Sequence, residues 1–137
     1  MIEFFSETDF ELEDSNIIRE WIAETILSEE HKIGSLNFVF CNDQYLHKLN
    51  MDFLNHDTLT DIITFDYNVG KEVHGEIYIS IDRVNENASD FKVSFNNELY
   101  RVIIHGALHL CGYKDKTEPE KDLMRNKEDY YLKRILS

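Results

Sequence analysis

The pattern of apolar and polar positions along the chain predicts four β-strands. The first covers Ile2–Phe5, and the second contains apolar residues that alternate with smaller ones at Leu36, Phe38 and Phe40. The last two, at Asp61–Tyr67 and Glu76–Ile81, are rich in β-branched and aromatic residues. Because the segment between them is short and contains Gly70, we expect these two strands to pair as a hairpin.

Five helices are predicted around these strands. Ser15 can cap the first, whose apolar residues have helical spacing at Ile17, Ile18, Trp21, Ile22 and Ile26. Asn42 can cap the second, which runs to about Phe53 with inward-facing side chains at Tyr45, Leu46 and Leu49. A polar loop at 55–60 then leads to the third strand.

The second half of the chain is predicted to be helical. A short helix at 82–91 precedes one that Ser94 can cap and that runs to Cys111, where Gly112 stops it. A capping box at Thr117-Glu118-Pro119-Glu120 opens a last helix to about Leu136. The order of elements is therefore β-α-β-α-β-β-α-α-α. This order indicates the α/β (α+β) class, with a small four-stranded mixed sheet and about five helices.

Length and composition indicate one folded domain covering residues 1–137. The chain has 42% apolar and 12% aromatic residues, which argues against disorder, and it contains no repeat or linker. No apolar run approaches the ~18 residues of a membrane span, so no membrane partner is expected. The start of the chain has no secretory pattern, and Cys41 and Cys111 do not make a disulfide framework. These features favour a cytoplasmic location.

The charge of the chain is strongly acidic. The net charge is −13, which disfavours a general nucleic-acid binder because basic residues supply most of that affinity. The charge is uneven, however: residues 1–30 carry ten carboxylates and one basic residue, Arg19. The less acidic remainder could still accept an anionic substrate.

Two histidines interrupt an otherwise apolar helix. His105 and His109 are four residues apart, so they share one face and can chelate one metal ion. Gly112 then allows a sharp turn, which can bring Asp115 back over that face as a third ligand. The sequence therefore predicts one Zn²⁺ ion at His105, His109 and Asp115.

The spacing His-x3-His-x2-Gly-x2-Asp is that of metzincin metalloproteases, with one difference that changes the expected chemistry. Gly106 stands where those proteases have a Glu that acts as general base, so peptide hydrolysis is disfavoured. Gly106 is expected to leave room for a substrate backbone. Glu98 and Arg101 lie on the same side of the helix as His105. They could contact the metal site or the substrate, or they could simply be polar residues exposed to solvent. The other histidines are expected at the surface: His31, His47, His56 and His74.

Three blocks of sequence resemble the YbeY family of bacterial endoribonucleases. The block from His105 to Tyr113 resembles the family signature His-Gly-x-Leu-His-Leu-x-Gly-Tyr. The segment Leu49-Asn50 followed by Asp57 and Thr60–Phe65 resembles the region before the third strand, and Gly75–Ser80 resembles the following strand. The resemblance implies a zincin-like metal-dependent hydrolase fold with bound zinc. It also implies cleavage of single-stranded RNA, maturation of the 3′ end of 16S rRNA and ribosome quality control, with the ribosomal subunit as a partner and no DNA substrate.

The chain departs from the family pattern at two positions. Asp115 stands where the family usually has a third His, and Leu54 stands where it usually has an Arg. The general base cannot be read from the sequence. Asp61 and Glu76 are candidates because their segments resemble the family, and the 2′-hydroxyl of RNA is a possible nucleophile. Two alternatives remain open: another zinc hydrolase such as a metalloprotease, and a ribosome-assembly factor in which zinc has only a structural role.

Overall fold

The computed structural model describes residues 1–136, and this range contains four strands and five helices in the predicted order. The strands are β1 (Ile2–Ser6), β2 (Lys32–Cys41), β3 (Ile62–Asp66) and β4 (Glu72–Ser80). The helices are α1 (Ser15–Ser28), α2 (Asp43–Leu54), α3 (Ile81–Phe91), α4 (Phe95–Leu110) and α5 (Glu118–Leu136). The predicted α+β class with a four-stranded mixed sheet is confirmed. None of the helices within residues 1–136 is both long enough and apolar enough to span a membrane.

The sheet has the strand order β1-β2-β4-β3. β1, β2 and β4 run parallel, with Phe38 of β2 paired with Phe4 on one side and Ile77 on the other. β3 runs antiparallel to β4, which confirms the predicted hairpin. In its turn, Gly70 has a φ of 58°, a left-handed conformation that glycine adopts without a Cβ clash.

The main core lies between one face of the sheet and α4. Alternate residues of β4 point into this core, among them Ile77 and Ile79, which are fully buried. α4 packs against β3 and β4 and also against α1, α3 and α5, and its Ile103 and Leu108 are fully buried. Each such side chain contributes roughly 1.5–3 kcal/mol of transfer free energy. A smaller cluster on Cys41, Leu46 and Ile63 lies under α2.

Gly106 allows α4 to approach the sheet closely. A Cβ atom at this position would lie 3.0 Å from Ile62 Cδ1 and 3.0 Å from Ile77 Cγ2. The space beside Gly106 is therefore filled by sheet side chains, and the expectation that it leaves room for a substrate is wrong. Its small size instead sets the distance of α4 from β3 and β4, and with it the position of the neighbouring His105.

Two of the predicted helix N-caps, those of α2 and α4, are confirmed by hydrogen bonds from the backbone to the capping side chain. Asn42 and Ser94 accept hydrogen bonds from the amides of Tyr45 and Asn97, at 2.8 and 3.1 Å. The predicted Ser15 cap is wrong, because Asp14 occupies the N-cap in a left-handed conformation and makes no side-chain cap bond.

Two other sequence expectations also differ from the structure. Tyr45 is 37% exposed instead of inward-facing, and it stacks on Tyr78 with ring centroids 6.3 Å apart. β4 begins at Glu72 instead of Glu76, because pairing with β2 starts at Lys32 and extends the strand past its apolar part.

Candidate active site

A cavity of about 480 Å³ opens beside α4, and His105 lies in its wall. The wall is formed by α4, α5, the end of α3, the start of β3 and the turn after α4. It contains four carboxylates, three basic side chains and His105. Its charged residues are Asp61, Glu98, Arg101, His105, Asp115, Lys121, Arg125 and Glu128.

A buried carboxylate on α5 holds the imidazole of His105. Nδ1 of His105 lies 2.8 Å from Oε2 of Glu128, whose side chain is only 7% exposed. An ionised carboxylate can only accept hydrogen bonds, so Nδ1 carries the proton and donates it. The other oxygen of Glu128 accepts a hydrogen bond from Arg101 Nη1 at 2.9 Å. Arg101 also pairs with Asp129 at 2.7 Å, so α4 and α5 are joined at the cavity by ion pairs.

Asp115 faces the other nitrogen of His105. Oδ2 of Asp115 lies 3.2 Å from Nε2 of His105. The predicted turn produces this approach: Gly112 has a φ of 106°, which reverses the chain after α4. Tyr113, in the same turn, donates a hydrogen bond of 2.5 Å to Glu29 at the end of α1. The turn that carries Asp115 is therefore anchored to a third helix.

Two of the three predicted donors, His105 and Asp115, lie at a separation that a zinc ion could bridge. Two ligands of a tetrahedral zinc ion, each about 2.0–2.1 Å from the metal, lie roughly 3.3–3.4 Å apart. The separation of His105 Nε2 and Asp115 Oδ2 is 3.2 Å, close to that value. The bond from Nδ1 to Glu128 also matches the usual second contact of a zinc-bound histidine, which fixes the ring and its tautomer.

His109 lies one turn beyond His105 on α4 and is half-buried. The structure brings His105 and Asp115 together but does not bring His109 to them. Within residues 1–136, no three His, Cys, Asp or Glu side chains converge on one point as a metal-binding group. The position of His109 as a third ligand therefore rests on its i,i+4 spacing from His105.

The electrostatics of the cavity reflect its density of carboxylates. Burial alone lowers the pKa of His105, but the hydrogen bond and charge of Glu128, with the charges of Asp115 and Asp61, raise it above its usual value. Burial raises the pKa of Asp61, and the nearby His105 offsets only part of that increase. Burial likewise raises the pKa of Glu98. The cavity thus contains two carboxyl groups that bind a proton more readily than usual.

The two candidate bases have different positions. Asp61 immediately precedes β3, and its carbonyl accepts a hydrogen bond from the amide of Ser80 at 3.0 Å. This contact ties it to β4 beside the cavity that contains His105. Glu76 points to the opposite face of the sheet, where the hydroxyl of Tyr67 donates to it at 3.3 Å. Of the two candidate bases, the structure therefore places only Asp61 in the cavity with His105 and Asp115.

The other four histidines do not line the cavity. His56 is exposed, as expected, and the other three are half-buried rather than fully at the surface. His47 pairs with Asp57 at 2.7 Å, and His74 pairs with Glu72 at 2.6 Å. These contacts give them local structural roles.

Two polar residues of the site could not be assigned from sequence. Glu98 is 5% exposed and lines the cavity, so exposure does not explain it. No motif in the sequence points to Glu128. Its one signal in the sequence is its spacing, since it lies four residues from Met124 and Leu132 and three from Tyr131, and so falls among apolar residues on one side of α5. The buried residues of α5 are Met124, Glu128, Tyr131 and Leu132.

The chain is similar in sequence and in fold to known proteins. The family model described as Endoribonuclease YbeY matches residues 2–136. An "Endoribonuclease YbeY" from Flavobacterium psychrophilum is 56% identical over 133 residues, which covers 97% of this chain and 95% of the relative. One from Flavobacterium johnsoniae is 54% identical over 129 residues, covering 94% and 93%. The solution structure of a Thermotoga maritima protein matches with a TM-score of 0.69 and 30% identity, covering 96% of this chain and 87% of that one.

The fold and the similar proteins together define a class of small α+β proteins that are described as endoribonucleases. The chain belongs to the YbeY family.

Proposed function

We propose that this chain is a zinc-dependent endoribonuclease that hydrolyses single-stranded RNA in the cavity beside His105. Membership of a family described as Endoribonuclease YbeY supports the class of activity. The observation that carries the site is the placement of His105 between Glu128 and Asp115. It leaves one imidazole nitrogen oriented and directed at an anionic side chain in an open cavity.

One zinc ion would be held by His105, His109 and Asp115. Three protein ligands are the set found in catalytic zinc sites, which keep a further position open. A bound zinc ion would supply a Lewis acid and a more acidic water. Asp115 in place of a neutral histidine adds a negative charge to the set, so we expect a less acidic water than a three-histidine site would produce.

The residues of this chain supply orientation and a proton acceptor. Glu128 fixes the ring of His105, and Arg101 compensates the charge of Glu128. Asp61 is our candidate for the group that accepts the proton of the attacking water or 2′-hydroxyl. Its raised pKa suits this role, because a general base works best when its pKa is nearer the working pH.

The biological setting that we propose follows from the resemblance of the chain to the YbeY family. The RNA substrate would be the 3′ region of 16S rRNA, the partner would be the ribosomal subunit, and the site of action would be the cytoplasm. Quality control of ribosomes would use the same cleavage reaction.

The test is a cleavage assay with single-stranded RNA, duplex RNA and a peptide substrate. We expect cleavage of single-stranded RNA alone, lost on chelation, restored by zinc and reduced at least 100-fold in Asp61→Asn. His105→Ala identifies contamination, since equal cleavage by that variant would assign the activity to another nuclease. Cleaved peptide with intact RNA would favour a protease, and zinc binding without any cleavage would favour an assembly factor.

A further inference from the structure

Two basic side chains of α5 lie at the mouth of the cavity that contains His105. Lys121 and Arg125 both line it. Their i,i+4 spacing puts them on one face of the helix, with their Cβ atoms about 5–6 Å apart. Their side chains are 55% and 58% exposed. We call this pair the basic edge.

The charges of the basic edge are only weakly neutralised within the protein. Nζ of Lys121 lies 3.7 Å from Glu118, and Nη1 of Arg125 lies 4.0 Å from Glu128. Both contacts are long and the two cations are themselves more than half exposed, and such pairs contribute little energy. Both cations are therefore available to an anionic ligand.

The third basic residue of the cavity differs from these two. Arg101 is 21% exposed and pairs closely with two carboxylates, Glu128 at 2.9 Å and Asp129 at 2.7 Å. Its charge is already compensated inside the protein. Among the cavity-lining residues, the uncompensated positive charge is thus concentrated on one turn of α5.

The other unpaired charges on the side chains of the cavity are negative, and only a bound zinc ion would offset them. Asp61, Glu98 and Asp115 line the cavity, and the whole chain has a net charge of −13. An RNA backbone that passes His105 needs cations close by, because salt only partly screens the repulsion between its phosphates and these carboxylates at such short range. Among the side chains that line the cavity, the basic edge supplies these cations.

We propose that Lys121 and Arg125 bind the phosphates of single-stranded RNA and position the strand over His105. This inference rests on the proposed function and assigns the substrate contact to two residues of α5. The contacts are electrostatic and read no base, so they act on any sequence.

The experiment measures KM and kcat for cleavage of a single-stranded RNA at several salt concentrations. The variants are Lys121→Gln, Arg125→Gln, the double variant and Arg125→Lys. Lys133→Gln is the matched control, since Lys133 is an exposed basic residue of α5 outside this cavity. A labelled single-stranded DNA of equal length, followed by fluorescence anisotropy, reports phosphate binding separately from cleavage.

Each phosphate contact on a single strand contributes about 0.7 to the slope of log K against log salt. If the contact contributes nothing at about 1 M salt, each lost cation should raise KM about eightfold at about 50 mM salt. The double variant should lose about 1.4 from that slope while kcat changes little. Arg125→Lys and Lys133→Gln should retain the wild-type slope. The DNA should show the same losses in affinity.

An unchanged slope in the double variant would overturn the proposal and leave the two residues as solvated surface charges. A loss of kcat at constant KM would also overturn it, because the edge would then act on the reaction and not on binding. If the wild type cleaves no RNA, the proposed nuclease function fails, while the DNA measurement still decides whether the basic edge binds phosphates.

Discussion

Glu128 accepts a hydrogen bond of 2.8 Å from Nδ1 of His105, although the two residues are 23 positions apart in the chain. This contact is one of those that join α5 to α4, and it sets the proton of the imidazole on Nδ1. It leaves Nε2 facing Asp115 at 3.2 Å. The orientation of the candidate metal ligand is therefore decided by a residue outside the His-x3-His motif.

Replacing Glu128 by Gln should weaken zinc binding while the fold persists. The amide keeps the shape of the side chain but removes the charge that holds Nδ1–H, and such outer contacts typically change metal affinity 10–100-fold. Competition with a chromophoric chelator measures the zinc affinity. Asp129→Asn is the matched control, because Asp129 also pairs with Arg101 but is 49% exposed. Equal affinities for the two variants would contradict a positioning role for Glu128.

The purified protein should contain one zinc ion per chain. His109→Ala should lose most of it, with affinity reduced more than about 100-fold, since removal of a direct ligand costs more than removal of its outer partner. Elemental analysis after dialysis gives the stoichiometry. His47→Ala is a suitable control, because His47 pairs with Asp57 away from the cavity. A wild-type protein that holds no zinc, even after zinc is added, would refute the predicted site.

Two substitutions at Asp115 should have opposite outcomes. Asp115→His should retain zinc because imidazole is also a zinc ligand, whereas Asp115→Ala should weaken binding by at least tenfold. Isothermal titration with zinc distinguishes the two. If both variants bind zinc as tightly as the wild type, the 3.2 Å contact with His105 is an ion pair and nothing more.

Glu29 should stabilise the fold in a pH-dependent way. Burial raises its pKa, but hydrogen bonds from Tyr113, Tyr131 and Lys127 outweigh this and lower it below 4.5. A lowered carboxyl pKa gives stability that is present above the unfolded pKa and is lost as the pH falls through the folded one.

Glu29→Gln should therefore reduce the free energy of unfolding by about 1.5–3 kcal/mol at neutral pH. The difference from wild type should shrink as the pH falls through the ordinary glutamate range, where the unfolded carboxyl binds a proton before the folded one, whose pKa is lowered. Urea unfolding at pH 7 and pH 4 measures both values. The exposed neighbour Glu30→Gln provides the control and should change little. A constant difference between the two pH values would contradict the ionised contact.

Cleavage of RNA should be slow and should weaken as salt is added, because few cations hold the strand on a chain whose net charge is −13. Leu54, at the end of α2, is 41% exposed and outside the cavity lining. We predict that Leu54→Arg raises RNA affinity and adds about 0.7 to the salt slope, if the strand extends from the cavity to α2. Cleavage at two salt concentrations tests this, with Leu59→Arg as an exposed control on the adjoining loop. No change in Leu54→Arg would show that position 54 does not face the substrate.

Structural features that depend on residues close together in the chain can be predicted from the sequence alone. The i,i+4 spacing of His105 and His109 follows from helix geometry, and the reversal at Gly112 follows from the conformational freedom of glycine. The β-branched and aromatic residues of β3 and β4, with the short segment at Gly70 between them, predicted the hairpin. They did not predict where β4 begins, since pairing with β2 extends the strand beyond its apolar part.

Which residues from distant parts of the sequence surround His105 depends on how the helices and the sheet pack together. Asp61 lies just before β3, and Glu98 and Glu128 lie on two different helices. Each would suit an exposed position in its own segment. Packing around Gly106 brings α4 to the sheet, and the sheet then determines that Asp61 faces the cavity and Glu76 does not. Contacts between elements depend on how complete surfaces fit together. Local spacing therefore predicted the metal-binding motif, whereas the residues that orient it and shift its pKa values emerge only when α4, α5 and β3 pack against one another.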